Sequence, residues 1–190
     1  MVERWTRPLD AEERRLLLDL ARMVIRGELD GRHDEREPPA EGPLAQVRGA
    51  FVTLMDGDRL RGCIGHVVGS ETLWSSVRSN AVNAAFRDPR FPPVEPAELG
   101  GLTIEISALS PLRVVLEPED IVVGDDGLVV ERGRFRGLLL PQVGERYGWT
   151  PEEFLDQTCR KAGMQPGCWR DPATTISAFH AEVFSEEELR

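Results

Sequence analysis

The stretch Leu60-Arg61-Gly62-Cys63-Ile64-Gly65 constrains the fold of this chain more than any other segment. It is apolar enough to form a strand, yet it also carries an arginine, a cysteine and two glycines. The turn signal Asp56-Gly57 lies just before it, and a second apolar run, Phe51–Met55, precedes that turn. Two β-prone runs joined by Asp-Gly predict a β-hairpin.

The glycines beside Cys63 predict a close approach to this strand. Glycine weakens a strand unless a backbone or a ligand must come near it, so we expect one of these beside the Cys63 thiol. With regular alternation, Arg61 and Cys63 share one face of the strand. The opposite face then carries Leu60, Gly62 and Ile64. A neighbouring arginine lowers the pKa of a thiol, which makes Cys63 a candidate nucleophile, although free cysteines are more often buried and inert.

Length and cysteine count set the broad class. The 190 residues suffice for one large domain or for two small lobes that share a core. No stretch approaches the roughly 20 apolar residues of a membrane helix, and Met1–Trp5 has no apolar signal core. Three cysteines, an odd count, do not imply a disulfide framework. We therefore expect a cytoplasmic protein with reduced thiols and no membrane partner.

The formal net charge of -10 argues against nonspecific binding to nucleic acid or to anionic membranes, because both require a basic footprint. It leaves room for a local basic pocket. Lys161 is the only lysine, so Schiff-base chemistry could use that residue alone and no P-loop lysine exists.

The apolar periodicity predicts an α+β fold with a mostly antiparallel sheet packed with helices, in a single domain over residues 1–190. Helices are expected at about Ala11–Arg26, after a cap at Ser70, and from Thr150 to Gly163. Beyond the hairpin, the strands are expected at Leu102–Leu109, Ile121–Val123, Leu128–Glu131, Phe135–Leu140 and Thr175–Phe184. The proline-rich segment Glu28–Pro43, which contains His33, is expected to be a surface loop.

Two further segments have open interpretations. Thr103, Glu105 and Ser107 alternate with apolar residues, so they form either a solvated sheet face or the wall of a polar cleft. The rigid segment Arg87–Pro93 either lines a site with its charged side chains or simply ends a helix.

A zinc site is not expected. Cys63 and His66 have the C-x-x-H spacing, but zinc needs two more ligands. The remaining candidates, Cys159, Cys168 and His180, match no standard spacing. Cys159 is expected to pack inside a helix, and Cys168 is read as an incidental turn residue.

Several long segments together resemble one family, the AMMECR1 domain. The hexapeptide Leu60–Gly65 is similar to the hallmark of that family. The resemblance continues, in the same order along the chain, through Ala84–Phe91, Ile104–Ser107, Gly137–Val143, Phe154-Leu155 and Cys159–Gly163. It covers nearly the whole chain.

The resemblance implies an α+β fold with a larger and a smaller subdomain and with the hexapeptide near the cleft between them. It places Arg61, Gly62, Cys63 and Gly65 at the centre of the site, flanked by Leu60 and Ile64. The secondary candidates that it implies are Asp88, Arg90, Glu105, Gln142 and Cys159. It implies no cofactor. It also implies two protein partners, a Memo-like protein and a radical SAM protein, because bacterial and archaeal members resemble component A of the AmmeMemoRadiSam set.

Three functional hypotheses follow. In the first, the chain is an enzyme or enzyme component, with Cys63 as thiolate, Arg61 as its activator or anion clamp, and Glu105 as acid or base. In the second, the same cleft binds a peptide, a metabolite or a partner protein without catalysis. In the third, the motif is structural and Arg61 is buried against a carboxylate such as Glu105.

Overall fold

The computed structural model describes residues 8–32 and 36–188. They form two compact units. The larger unit runs to Pro111 and resumes at Glu182, and the smaller one runs from Leu112 to Ala181. His33 and the N-terminal stretch Met1–Trp5 lie outside the described residues.

The larger unit combines two helices with an antiparallel sheet. Its helices are α1 (Ala11–Leu29) and α2 (Leu73–Phe86), and its strands are β1 (Ala50–Asp56), β2 (Arg59–His66) and β3 (Leu102–Leu109). β1 lies in the middle and pairs antiparallel with both β2 and β3. β2 and β3 thus flank β1, and the last strand of the chain follows β3 in the strand order.

Capping residues set the helix starts in this unit. Asp10 and Glu13 form a capping box at the start of α1, as their spacing predicts. α1 continues through Gly27, where the sequence predicted its end, as far as Leu29. The cap of α2 is Thr72 and not Ser70, because the Thr72 hydroxyl accepts the Ser75 N–H.

The core of the larger unit lies on one face of the sheet. Alternate residues of β1 and β3 are buried there, against the apolar faces of α1 and α2. The intervening residues of both strands are only partly buried. The sheet therefore has one helix-covered face and one polar face, and the polar face carries Thr53 and Glu105.

The smaller unit also combines strands with helices. Its strands are β4 (Arg113–Val114), β5 (Asp126–Arg132), β6 (Phe135–Leu139) and the first part of β7 (Thr175–Ser185). β7 pairs with β4 and β5, and β5 forms a hairpin with β6. Its helices are α3 (Pro141–Tyr147) and α4 (Pro151–Lys161), and a 3-10 turn lies at Cys168–Arg170.

Two features of this unit differ from the sequence predictions. Ile121–Val123 is not a strand, because Ile121 caps a 3-10 turn and Val123 forms only an isolated bridge. Pro141, which was expected only to close a strand, begins α3, where its missing N–H costs nothing.

A disulfide joins Cys159 in α4 to Cys168, with 6.0 Å between their Cα atoms. Cys159 packs in the core of this unit, as predicted, but it is also disulfide-bonded, and the interpretation of Cys168 as an incidental turn residue is wrong. Gly163, with φ of 76°, reverses the chain after α4 and so allows Cys168 to return to the helix. The two cysteines are nine residues apart in the sequence, and this spacing alone did not predict that they form a disulfide.

The α+β class and the mostly antiparallel sheet are confirmed. Within residues 8–32 and 36–188, no helix combines the length and the apolar character that crossing a membrane requires.

Candidate functional site

A β-bulge sits inside the hexapeptide. Met55 of β1 faces Leu60, but the next residue back, Leu54, faces Gly62, so Arg61 has no partner opposite it. A regular hairpin would have paired Thr53 with Gly62. The extra residue shifts the register by one and places Thr53 opposite Cys63 instead.

Cys63, Thr53 and Glu105 form a row across three neighbouring strands. Thr53 is directly opposite Cys63 on one side and directly opposite Glu105 on the other. Directly opposed side chains on one sheet face lie within contact distance. The Thr53 hydroxyl lies 3.3 Å from the Cys63 sulfur, and all three side chains are partly buried on the polar face.

The backbone of Cys63 is held by Asp88 and Arg90, which follow α2. β2 ends the strand order, so one side of its backbone has no neighbouring strand among the described residues. On that side the Cys63 N–H donates to Asp88 Oδ2 at 2.9 Å, and Arg90 Nη2 donates to the Cys63 carbonyl at 3.0 Å. The two side chains thus replace the missing strand at this residue.

The Asp88–Arg90 pair is itself tightly bonded. Arg90 Nη2 lies 2.7 Å from Asp88 Oδ2, and the Asp88 side chain is only 2% exposed, against 53% for Arg90. The hydrogen bond from Arg90 holds the pKa of Asp88 well below its usual range, and the backbone N–H groups of Cys63 and Arg90 add to this effect against the opposing effect of burial.

Arg90 is the cation beside Cys63. Its pKa is raised, mainly by the bond to Asp88, and the Cys63 side chain contributes to the rise. Its exposed half leaves it accessible to an anionic group from solvent.

Arg61 is engaged elsewhere. Its guanidinium forms a bidentate pair with Glu98, at 3.0 Å for both contacts, and donates to the carbonyls of Pro92 and Pro93. The carboxylate that it pairs with is therefore Glu98, and the suggested pairing with Glu105 is wrong. The shared face predicted for Arg61 and Cys63 assumed unbroken alternation, which the bulge interrupts. The geometry makes Arg61 a tie between β2 and the segment before β3.

Glu105 retains a proton more readily than an ordinary glutamate. Burial raises the pKa of its carboxyl, and the negative charge of Glu188 adds to the rise. The raised pKa makes this carboxyl better suited to proton transfer than an ordinary, solvated glutamate.

The two glycines of the motif are in close contact with other groups, as the sequence predicted. A Cβ built at Gly62 would lie 2.2 Å from the carbonyl oxygen of Ala84 in α2. One at Gly65 would lie 2.3 Å from the carbonyl oxygen of Ala50 and 2.4 Å from the Phe51 ring. In both cases the neighbour is this chain itself and not a ligand.

The other predicted residues have different surroundings. Ile64 packs against the helix-covered core, whereas Leu60 is 39% exposed. Gln142 is exposed on α3, and Cys159 is fully buried in its disulfide. Both belong to the smaller unit, whereas the Cys63 row belongs to the larger one.

Thr53 and Glu98 are the contributors that sequence reasoning missed. Thr53 could have been found only by knowing the bulge, since the regular register pairs it with a glycine. Glu98 lies 37 residues from Arg61 in an irregular segment, where no periodicity indicates a partner.

Among the described residues, no group of three or more His, Cys, Asp or Glu side chains is placed to hold a metal ion. The disulfide also removes Cys159 and Cys168 from any set of thiolate ligands.

Comparison with known proteins identifies close relatives. The family model described as AMMECR1 matches residues 18–184. A protein from Methanothermobacter thermautotrophicus is 46% identical over 187 residues, which covers 95% of this chain and 97% of that protein. Protein TK0174 from Thermococcus kodakarensis is 47% identical over 166 residues and 81% of each chain. A crystal structure of the uncharacterized protein PH0010 from Pyrococcus horikoshii matches with a TM-score of 0.74 and 42% identity, over 90% of both chains.

Proposed function

Because the chain belongs to the AMMECR1 family, we propose that the motif Leu60–Gly65 marks its functional site and that Cys63 is a nucleophile there. The observation that carries this proposal is the row of Cys63, Thr53 and Glu105 on the polar sheet face. A thiol, a hydroxyl and a carboxyl with a raised pKa in consecutive register are suited to move a proton while a covalent bond forms.

The reaction class that fits is addition of the thiol to an electrophilic carbon, such as a carbonyl of a small molecule or peptide. One S–C bond forms and the C=O π bond opens. Glu105 gives its proton to the carbonyl oxygen, and the proton that leaves the thiol returns to Glu105 through the Thr53 hydroxyl. The row therefore ends the step in the protonation state in which it began.

In this proposal Arg90 has the anion-binding role that was predicted for Arg61. Its guanidinium reaches the Cys63 carbonyl and is half-exposed, so it can attract an anionic substrate to the site. Arg61, bound by Glu98, keeps β2 in place.

A second candidate is a non-catalytic binding module. Arg61 and Arg90 both form ion pairs with this chain's own carboxylates. This candidate is favoured because a paired guanidinium is a weaker activator of the thiol than a free one. In this case the polar face recognises a peptide, a metabolite or a partner protein, and the thiol is only a small contact.

The resemblance to component A of the AmmeMemoRadiSam set supports a further part of the proposal, which is that the chain acts together with a Memo-like protein and a radical SAM protein. Co-purification of the three proteins from one host, with and without Cys63→Ala, tests this part separately from the chemistry.

The decisive measurement is the alkylation rate of Cys63 as a function of pH under non-reducing conditions. The other two cysteines are joined in a disulfide, so a single thiol reports. We expect Thr53→Val to slow alkylation at pH 7 by about tenfold, the equivalent of one hydrogen bond to a charged group. Ser107→Ala, on the same face of β3, is the control and should leave the rate unchanged.

Glu105→Gln gives a second readout. As the pH rises through the raised pKa of Glu105, the new negative charge disfavours the Cys63 thiolate. The variant should therefore match the natural chain at the acid end of the profile, exceed it by roughly threefold at intermediate pH, where Glu105 is charged and the thiol is mostly protonated, and match it again once the thiol is fully ionised. A Cys63 that reacts only after unfolding would eliminate the nucleophile and leave the binding module.

A further inference from the structure

A cluster of basic side chains lies in the smaller unit. It comes from three elements: the turn between β5 and β6, the last turn of α4, and the 3-10 turn at Cys168–Arg170. We call it the basic surface, and it consists of Arg132, Arg134, Arg160, Lys161 and Arg170. Its residues are independent of the Cys63 row, which belongs to the other unit.

Three contacts hold these elements together. A Cβ built at Gly137 of β6 would lie 2.3 Å from the backbone nitrogen of Ala162, so β6 touches the end of α4 directly. The disulfide fastens Cys159 of α4 to Cys168 at the 3-10 turn. Arg132 Nη1 lies 2.7 Å from Asp171 Oδ2, which brings the β5–β6 turn to the same turn. The three elements that carry the basic residues are thus fixed to one another.

The charges of this surface are largely unneutralised. Arg134, Arg160, Lys161 and Arg170 are exposed, and no carboxylate of the described part of the chain forms an ion pair with any of them. Arg132 is paired with Asp171. Asp156, the nearby carboxylate on α4, accepts the N–H groups of Gly167 and Trp169 with one of its oxygens. A chain of net charge -10 thus gathers free positive charge at one place.

Two aromatic rings are part of the same surface, and each has a guanidinium over it. Arg170 lies 3.8 Å above the Trp169 ring, and Arg134 lies 5.3 Å from the centre of the Phe135 ring. The ring attracts the guanidinium over its face and so restrains the side chain there. The planar fork of arginine N–H groups suits bidentate hydrogen bonding to carboxylates.

We propose that the basic surface is a docking site for an acidic segment of a partner protein, rich in aspartate and glutamate. Charge complementarity and the bidentate geometry of arginine argue for carboxylates. Single-stranded nucleic acid fits less well, because a guanidinium already lies over one face of each ring and leaves less aromatic surface for base stacking. The strongly negative remainder of the chain also opposes a long, densely charged polyanion.

Fluorescence anisotropy with the full, oxidised chain tests this proposal. The probe is a labelled short peptide of alternating aspartate and glutamate. We expect binding that weakens as salt rises from about 0.05 M to about 0.5 M, and a loss of about tenfold in affinity for the double variant Arg160→Glu, Lys161→Glu. Arg134→Glu, in the β5–β6 turn, provides a second variant in a different element and should also weaken binding.

The matched control is Arg146→Glu, an exposed arginine in the last turn of α3 of the same unit. It makes the same change of net charge as Arg134→Glu and half that of the double variant, and it should leave the affinity within about twofold, since only long-range charge effects remain. Equal losses for the control and for the double variant would overturn the proposal. So would tighter binding of an oligothymidylate with the same formal charge as the peptide, which would assign the surface to nucleic acid. Circular dichroism of each variant confirms that it is folded.

Discussion

Cys63 has its main chain fixed by side chains from another part of the sequence. Asp88 takes its N–H and Arg90 its carbonyl, and the two are bonded to each other. β2 is an edge strand, so its outer backbone groups have no partner strand in the described part of the chain to hold them. The Asp88–Arg90 ion pair binds these groups at Cys63 and so fixes the position of the thiol.

Replacing Asp88 by asparagine tests this ion pair. Because the Arg90 bond holds the pKa of Asp88 below its usual range, its charged form favours the folded state. That contribution is complete above about pH 4, the ordinary aspartate value, and is lost as the pH falls toward the lower folded-state pKa. The variant should therefore be less stable by about 2 kcal/mol at pH 7, and the difference should shrink below pH 4.

Urea unfolding at a series of pH values measures this difference. Asp58→Asn, an exposed aspartate in the turn of the same hairpin, serves as the control and should change stability by less than about 0.5 kcal/mol. A difference for Asp88→Asn that stays constant from pH 7 to pH 3 would show that the carboxylate charge does not contribute.

Residue-level prediction from sequence succeeded where the local rule was unbroken. The polar character of Thr103, Glu105 and Ser107 followed directly from alternation along β3. It missed the bulge at Arg61, because one inserted residue in β2 changes the pairing with β1 and leaves no pattern in the local sequence.

At the scale of elements, the contact between β2 and α2 depends on a missing side chain. The helix carbonyl at Ala84 lies where the Cβ of any other residue at position 62 would be. The small buried residues Ala81, Ala84 and Ala85 of α2 face the core and permit this approach.

Gly62→Ala should therefore destabilise the protein by about 2–3 kcal/mol, since a backbone carbonyl cannot move aside as a flexible side chain can. Thermal unfolding provides the measurement. Gly100→Ala is the matched control: the position is exposed, nothing lies within 4 Å of its Cβ, and its φ is not positive. It should be neutral or slightly stabilising. If Gly62→Ala and Gly100→Ala changed the stability equally, the close packing of β2 on α2 would not be the reason why position 62 requires glycine.

Element positions were the most predictable part of the fold. The Thr150-Pro151-Glu153 signal placed the start of α4 correctly, with both capping-box bonds present. Leu102–Leu109 was predicted with its correct limits. β4, two residues long, was missed because its pairing with β7 is tertiary and leaves no pattern of its own. The disulfide was missed for the same reason, because it is also a tertiary contact without a sequence pattern of its own.

At the scale of the whole molecule, Glu182 connects distant parts of the larger unit. One of its carboxylate oxygens accepts from the Leu9 N–H and from Arg14, and the other accepts from Arg48, whose side chain is only 1% exposed. Burial lowers the pKa of Arg48, and the charge of Glu182 opposes this effect. The negative charge of Glu182 thus offsets part of the free-energy cost of burying the Arg48 guanidinium.

Glu182→Gln should lower the free energy of unfolding by about 2–3 kcal/mol, because it leaves a buried guanidinium without its countercharge. Denaturant titration at pH 7 gives the value. Glu187→Gln, exposed near the end of the same strand, should change it by less than about 0.5 kcal/mol. A Glu182→Gln chain as stable as the natural one would mean that the other contacts of Arg48 suffice.

Glu182 and Glu186 return to the larger unit only after the whole of the smaller unit has been traversed, and Glu186 then binds Arg22 and the N–H of Ile104. On the ribosome, which delivers the N-terminal end first, α1 and the first three strands emerge long before the carboxylates that bind them. The smaller unit, a continuous segment, is available in full first. The unit that begins first is therefore the last to have all of its residues synthesised, so we expect its final contacts to form only after the smaller unit has been made in full.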